Sequence, residues 1–249
     1  MRYGIICAVE QEIDLIKRDI IGEKIITIAR RDFIEGKLYG KDVVLVMSRV
    51  GKVASASTAT TLIDRYNVDN IIFCGTAGGI DKTLNVGDVV VADNLVQHDV
   101  FDGIEFFKIP RLGIANFPPD KALSAAMHRG VDSYIKNELK SDIPQKYLDE
   151  FKIVDPKVAV GTIASGDQFI NDNFKNQWLE EQIPNLKCVE MEGAAVAQVC
   201  YEFDIPFAVI RVISDSANDS SGVDFDRFAL EAMCHFTRGS LKAFLSEAE

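Results

Sequence analysis

The sequence has few of the residues that build metal sites or disulfide frameworks. Its 249 residues include three histidines and five cysteines, and no two cysteines have C-x-x-C spacing. Residues that hold a metal ion usually recur at short spacings, which these histidines and cysteines lack. An odd number of cysteines, most of them within apolar runs, indicates buried free thiols in a reducing compartment. We therefore expect no metal ion.

Long apolar runs and an excess of basic residues are also missing. No segment approaches about 18 continuous apolar residues, so we predict no membrane-spanning helix. The apolar run at the N-terminus is too short for a signal peptide and meets acid at Glu10. A net charge of −11 argues against nucleic acid or an anionic membrane as a partner. The sequence therefore predicts a soluble cytoplasmic protein.

The sequence does contain short apolar runs that alternate with helical patterns. Several runs are continuous, as expected for strands covered on both faces. The predicted strands are residues 3–8, 43–47, 70–74, 88–92, 157–164, 186–191 and 206–213, and the predicted helices are residues 53–66, 121–139, 173–181, 193–203 and 225–246. Residues 31–46 predict an antiparallel hairpin. We predict an α/β fold, a three-layer α/β/α sandwich with a mixed central β-sheet, as a single domain over residues 1–249.

Acidic residues end or follow two of these apolar runs, at residues 189–195 (VEMEGAA) and 211–216 (RVISDS). Ligands of open α/β sheets bind at the carboxyl ends of strands, and a buried carboxylate there requires a partner. Glu192 and Asp215 are therefore candidate ligand-binding acids. Glu12, after the first strand, joins them if the strands run in one direction. The alternative for Glu12 and Glu192 is that each acid only stabilises the first turn of a helix.

Two further strand ends carry small residues, at residues 75–79 (GTAGG) and 165–170 (SGDQFI). Small residues let backbone N–H groups approach a ligand closely, whereas a plain tight turn is the alternative. Phe169 is expected either to stack on a planar ring or to pack in the core. Neither segment is a G-x-G-x-x-G fingerprint or a Walker motif, so a nicotinamide dehydrogenase is a poor interpretation.

Seven motifs occur in a fixed order along the chain. They are residues 4–12, 50–54, 75–79, 86–90, 165–170, 189–195 and 211–215. Together they resemble the 5′-methylthioadenosine/S-adenosylhomocysteine nucleosidases of the purine nucleoside phosphorylase superfamily, from Met1 to about Leu245. The resemblance implies hydrolysis of the N-glycosidic bond of 5′-substituted adenosines, with release of adenine and with no metal or organic cofactor. It also implies a homodimer whose partners are a small nucleoside substrate and water.

The resemblance implies a role for each acid. Asp215 resembles the general acid that acts at N7 of adenine, and Glu12 resembles the acid that activates the attacking water. Glu192 is similar to the acid that holds the ribose hydroxyls. Substrate contacts are further implied for Thr76, Ala77, Gly78, Phe169, Ile170, Glu190, Met191, Ser214, Arg211, Val50 and Phe225. Bond chemistry agrees with these roles, because cleavage builds positive charge on the sugar and negative charge on the departing base.

The sequence favours water over phosphate as the attacking group. Phosphate-using relatives need arginines around the oxyanion, and in hexameric phosphorylases one of them precedes the glycine-rich turn, where this chain has Phe73. A negative Glu12 would also repel phosphate. Arg49 keeps a phosphate-dependent phosphorylase open as an alternative, although a solvated or ion-paired surface arginine is the simpler interpretation. A non-catalytic nucleoside-binding module is the other alternative.

Two segments depart from the family pattern. Residues 97–120 are rich in phenylalanine and proline, and residues 133–156 are longer than usual. Phe101, Phe106, Phe107 or Pro110 are candidates to line the pocket for the 5′ group, from the same chain or across a dimer interface. The preferred 5′ group therefore stays open between methylthio, homocysteinyl, deoxy and a futalosine-type carboxyphenyl group.

Overall fold

A mixed β-sheet forms the centre of the computed structural model, which describes residues 1–215 and 225–247, without the side chains of residues 225 and 226. Its strands are β1 (Arg2–Cys7), β2 (Ile21–Ile28), β3 (Arg31–Leu38), β4 (Lys41–Met47), β5 (Asn70–Gly79), β6 (Val89–Gln97), β7 (Val158–Ser165), β8 (Leu186–Glu190) and β9 (Phe207–Asp215). Within this described part of the chain the order is β2-β3-β4-β1-β5-β8-β7-β6-β9. The prediction of a mixed central sheet is confirmed.

The far half of the sheet closes on itself. β9 pairs in parallel with β5 and antiparallel with β6, so that β5, β8, β7, β6 and β9 form a ring. The condition that the strands run in one direction is not met, because β8 is antiparallel to β5, and β7 and β6 run in the same direction as β8. β5 and β8 overlap only at their carboxyl ends, where Gly78 lies opposite Val189 and Gly79 opposite Cys188. Both carboxyl ends therefore still meet at one place.

Helices cover the sheet on both faces. They are α1 (Glu10–Asp19), α2 (Lys52–Tyr66), α3 (Lys121–Asn137), α4 (Leu139–Asp142), α5 (Gln145–Glu150), α6 (Asn173–Gln182), α7 (Gly193–Glu202), α8 (Phe225–Phe228), a π-helical segment (Ala229–Met233) and α9 (Cys234–Glu247). Ile5 of β1 packs with residues of α1, α3 and α9, whereas the next residue, Ile6, packs with α2 and α7. Because successive side chains of a strand point to opposite faces and both faces are covered, β1 is buried from Tyr3 to Cys7. The three-layer α/β/α sandwich is confirmed.

The edge strand β2 is absent from the sequence prediction. Most of its side chains are exposed, Ile21 and Ile25 among them, so no buried face marks it in the sequence. The hairpin that follows is confirmed, because β3 and β4 pair antiparallel with Phe33 opposite Val46. The predicted helix over 225–246 is interrupted by the π-helical segment. The predicted helix over 121–139 ends at Asn137 and is followed by the short helices α4 and α5.

The sheet takes strands from residue 2 through residue 215. This continuity supports a single domain, which stays a prediction. Among residues 1–215 and 225–247, no helix combines the length and the apolar character needed to cross a membrane.

Candidate active site

The carboxyl ends of β5, β8 and β9 and the start of α1 enclose a cavity of about 220 Å³. The sequence-predicted site residues that line it are Glu12, Val50, Thr76, Ala77, Gly78, Phe169, Ile170, Glu190, Met191, Glu192, Arg211, Ser214 and Asp215. The remaining predicted residue, Phe225, has its side chain outside the described residues. The three predicted acids therefore line one cavity, although they come from α1, the loop after β8 and the end of β9.

Glu12 is buried and bridges the start of its own helix and the end of β5. One carboxylate oxygen accepts hydrogen bonds from the backbone N–H groups of Ala8 (2.8 Å) and Val9 (3.2 Å). The other accepts from the backbone N–H of Thr76 at 3.1 Å and lies 3.4 Å from its hydroxyl. Burial raises the pKa of Glu12, while Arg211 and these N–H groups oppose the shift. Glu12 thus caps its helix and also presents a buried carboxylate to the cavity.

Glu190 and Arg211 form a buried ion pair in the wall of the cavity. Arg211 Nη2 lies 2.5 Å from a Glu190 carboxylate oxygen, and both side chains are almost fully buried. Glu190 also accepts hydrogen bonds from the Ser165 hydroxyl and from the backbone N–H groups of Glu192 and Gly193. Both Glu190 oxygens are therefore occupied by protein donors. Glu190 lines the cavity, and a contact between Glu190 and the substrate stays a prediction.

Glu192 keeps one oxygen for the cavity. Its Oε1 accepts a hydrogen bond from the backbone N–H of Gly51 at 2.9 Å, and Oε2 has no hydrogen bond to the described part of the chain. Burial and the neighbouring charge of Glu190 raise the pKa of Glu192, against the effects of Arg211 and the Gly51 N–H. A carboxyl group that takes up a proton readily can both donate to and accept from hydroxyl groups. This behaviour suits the two hydroxyls of a ribose ring.

Ser214 and Asp215 end β9 and line the same cavity. The Ser214 hydroxyl lies 2.7 Å from Asp215 Oδ2 and 3.3 Å from the carbonyl oxygen of Ala77. Asp215 also pairs with Gly78 in the ladder between β5 and β9. The end of β5 therefore supports the carboxylate of Asp215 through both its backbone and the Ser214 hydroxyl.

Apolar side chains form the rim of the cavity. Phe169 is 70% exposed and Val50 is 53% exposed, although both line the cavity. The alternative that Phe169 packs in the core is therefore wrong, and its ring is available to stack on a planar ligand. Ile170, the next residue, is buried and also lines the cavity.

The aromatic residues of segment 97–120 do not reach this cavity within one chain. Phe101 and Phe106 pack edge-on against each other and against Trp178, with ring centroids 5.0 to 6.4 Å apart. Phe107 is 45% exposed, and neither Phe107 nor Pro110 lines the cavity. A contribution of these side chains to a neighbouring chain's cavity stays a prediction.

A family model of the phosphorylase superfamily matches residues 2–246 of the chain. Over 246 residues the chain is 39% identical to the 5′-methylthioadenosine/S-adenosylhomocysteine nucleosidase of Bacillus subtilis (strain 168), covering 97% of each protein. The chain belongs to this nucleosidase family of the phosphorylase superfamily. The resemblance predicted from the seven motifs is confirmed.

Solved structures of two relatives extend this nucleosidase-family assignment to the fold. The nucleosidase of Colwellia psychrerythraea 34H in complex with adenine is 34% identical and superposes with a TM-score of 0.84, covering 98% of this chain and 94% of that one. The futalosine hydrolase of Helicobacter pylori strain 26695 is 31% identical with a TM-score of 0.81, covering 100% of this chain and 98% of that one. Relatives with different named substrates therefore share the fold of this family member.

Positive charge available to an anion is scarce in this nucleosidase-family site. Arg211 is the one basic residue among the described residues that line the cavity, and Glu190 already pairs with it. Residues 216–224 contain no lysine or arginine. Phe73 lies beneath the Arg211 guanidinium, 4.1 Å from its ring centroid. Arg49 is exposed and donates a hydrogen bond to the carbonyl of Arg30, which matches the surface interpretation of this residue.

We expect Arg211→Met to lower the free energy of unfolding by about 3–5 kcal/mol, because it leaves Glu190 buried without its cation. The measurement is urea unfolding followed by circular dichroism. The matched control is Lys242→Met, whose half-exposed pair with Glu138 contributes no more than about 1 kcal/mol. Equal destabilisation of the two variants would contradict a structural role for the buried pair.

Sequence reasoning missed five residues that line the cavity, namely Ala8, Val9, Gly75, Gln168 and Val189. Each lies inside one of the seven motifs, so the motifs already contained the signal, although these residues were not singled out as site residues. Gly75 has a steric requirement of its own. A Cβ atom there would lie 3.1 Å from Arg211 Nη1 and 3.3 Å from Glu12 Oε1, so a side chain would press on both groups.

Proposed function

We propose that this protein hydrolyses the N-glycosidic bond of 5′-substituted adenosines, with 5′-methylthioadenosine and S-adenosylhomocysteine as the leading substrates. The observation that carries the proposal is that Glu12, Glu192 and Asp215 line one cavity. Full-length similarity to relatives named 5′-methylthioadenosine/S-adenosylhomocysteine nucleosidase, one of them solved with adenine, supports the same conclusion. We assign the enzyme to the N-glycosyl hydrolases.

In the proposed mechanism Asp215 acts on the departing base and Glu12 acts on the attacking water. Asp215 gives a proton to N7 of adenine while the C1′–N9 bond breaks and its electron pair moves to the base. Glu12 takes a proton from a water molecule whose oxygen forms the new bond to C1′. The products are adenine and a 5-substituted ribose. The Ser214 hydroxyl, 2.7 Å from Asp215, orients the acid.

The sugar and the base are bound by separate groups in this scheme. Glu192 holds the ribose hydroxyls, and its position next to Met191 brings an apolar side chain against the sugar. Phe169 stacks on adenine from the rim, where its ring is 70% exposed. The Ile170 backbone contacts the edge of the base. Thr76, which donates to Glu12, helps to hold the attacking water.

Water is the proposed attacking group because Glu12 places negative charge in the cavity and Glu190 already pairs with Arg211. Pure protein in phosphate-free buffer should convert 5′-methylthioadenosine to adenine and free 5-methylthioribose, with no stimulation by added phosphate. Chromatography of the two products makes this measurement. A requirement for phosphate that yields a sugar 1-phosphate would instead identify a phosphorylase. Tight binding without any product would identify a nucleoside-binding module.

The same assay over a panel of 5′-substituted adenosines identifies the preferred 5′ group. Futalosine belongs in the panel because the futalosine hydrolase of Helicobacter pylori has the same fold. We further propose that the protein is a cytoplasmic homodimer, with segment 97–120 at the contact. The exposed side chains of Ile104 and Phe107 in that segment support this interface.

A further inference from the structure

Three segments around the mouth of the cavity are tied together by an ion pair that does not line it. Lys52, the first residue of α2, lies with its Nζ atom 2.6 Å from Asp99 Oδ1 and 3.1 Å from Gln97 Oε1 at the end of β6. The Lys52 and Asp99 side chains are only 16% and 14% exposed. Neither residue belongs to the cavity wall. The pair therefore joins α2 to β6 without touching the space for a ligand.

Asp167 extends this connection to the segment that carries Phe169. The backbone N–H of Asp167 donates to Asp99 Oδ2 at 2.8 Å, and the backbone N–H of Lys52 donates to Asp167 Oδ1 at 2.8 Å. A closed circuit of hydrogen bonds thus runs through Lys52, Asp99 and Asp167. Phe169 follows Asp167 by two residues, so the circuit restrains the base of the segment that forms the rim.

The same start of α2 also holds Glu192. Gly51, directly before Lys52, donates its backbone N–H to Glu192 Oε1 at 2.9 Å. The Ser55 hydroxyl lies 3.1 Å from the Lys52 carbonyl oxygen and 3.3 Å from the Glu192 carbonyl oxygen. Gly51 has a φ of 96°, a conformation that favours glycine. Two successive N–H groups at the start of one helix therefore hold Glu192 and Asp167.

We propose that Lys52 and Asp99 are positioning residues, which fix the start of α2 against segment 166–170 so that Glu192 and Phe169 keep the geometry that the nucleoside requires. The inference rests on the proposed function, since it assigns the ribose to Glu192 and the base to Phe169. Neither positioning residue contacts the substrate. Their effect passes through the Gly51 N–H to Glu192 and through Asp167 to Phe169.

We expect Lys52→Met to lower kcat/KM for 5′-methylthioadenosine by about 10- to 100-fold, since small displacements of positioning groups carry penalties of this size. The matched control is Lys187→Met. Lys187 pairs with Asp81 at 2.5 Å with both side chains 19% exposed, and neither lines the cavity. This control should lose comparable thermal stability and keep kcat/KM near the wild-type value. Lys52→Arg, which retains the cation, should recover most of the loss.

Two further readouts separate positioning from a purely structural role. Burial and the charges of Glu190 and Glu12 raise the pKa of Glu192, whereas Arg211 and the Gly51 N–H lower it. Displacement of the Gly51 N–H in Lys52→Met should therefore raise that pKa and move the acid limb of the pH profile to higher pH. The limb should not move in Lys187→Met. In a double-mutant cycle, Lys52→Met combined with Asp99→Asn should lose little more activity than either variant alone.

Equal losses of kcat/KM in Lys52→Met and Lys187→Met would overturn the inference. Independent, multiplicative losses in the double-mutant cycle would overturn it as well. Failure of the proposed function is distinguished by the wild-type protein, which would then release no adenine. In that case the affinity for 5′-methylthioadenosine, measured by calorimetric titration, is compared instead of kcat/KM. Lys52→Met should still bind this nucleoside more weakly than Lys187→Met.

Discussion

Glu12→Gln should reduce adenine release from 5′-methylthioadenosine by about 10²–10⁴-fold, the range that proton transfer by a positioned group supplies. Glutamine keeps the size of the side chain and can still accept the hydrogen bond from the Ala8 N–H, at 2.8 Å in the wild type. It cannot take a proton from water. The expected loss is mainly in kcat. A fall in melting temperature should accompany it, because the amide nitrogen cannot accept the hydrogen bond that the Thr76 N–H donates in the wild type.

Glu10→Gln is the matched control for this prediction. Glu10 occupies the same first turn of α1, but its side chain is exposed and pairs with Lys17. Because only Glu12 lines the cavity, Glu10→Gln should turn over at the wild-type rate. Near wild-type turnover in Glu12→Gln, or equal losses in both variants, would remove Glu12 from the mechanism.

The pH dependence of the reaction gives an independent test of Glu12. Burial raises its pKa, so its base form is lost as the pH falls through that raised value. The acid limb of kcat/KM should therefore lie above the ordinary glutamate pKa of about 4.3. The pH profile of the residual activity of Glu12→Gln should no longer show the ionisation of Glu12. Any ionisation that remains on the acid side of that profile is then assigned to Glu192, whose pKa is also raised.

The meeting of Glu12, Glu192 and Asp215 could be predicted from the sequence because each follows or ends an apolar strand. Strand direction could not, since the apolar run of β8 is the same whether it pairs parallel or antiparallel. The antiparallel β8 nevertheless reaches the site, because only its carboxyl end overlaps β5, at Gly78 and Gly79. The sequence therefore identifies the right edge of the sheet even though β8 does not run in the direction of β5.

Ion pairs between side chains were harder to predict from the sequence than the side chains that line the cavity. Glu190 stands in the same motif as Glu192, and the sequence does not distinguish a ligand-binding acid from one that pairs with Arg211. Lys52 and Asp99 are 47 positions apart in the chain, and only the closure of the sheet brings them together. Edge strand β2 left no signal because its side chains are mostly exposed.

Asp215→Asn should lower adenine release by about 10²–10⁴-fold, because asparagine has no acidic proton to give to N7. Asparagine is nearly isosteric and can still accept the Ser214 hydroxyl, which lies 2.7 Å from the wild-type carboxylate. The loss should depend on the departing base. A 5′-methylthio nucleoside whose base leaves readily without protonation should lose much less activity in Asp215→Asn than 5′-methylthioadenosine does.

This dependence on the leaving group separates general acid catalysis from binding, because a binding role for Asp215 would lower both rates together. Asp64→Asn provides the matched control, since Asp64 lies on the surface of α2 with its side chain 67% exposed. That variant should hydrolyse both nucleosides at wild-type rates. Equal losses on the two nucleosides in Asp215→Asn would assign the proton to another group, and Ser214, which lines the same wall, would then be the next residue to replace.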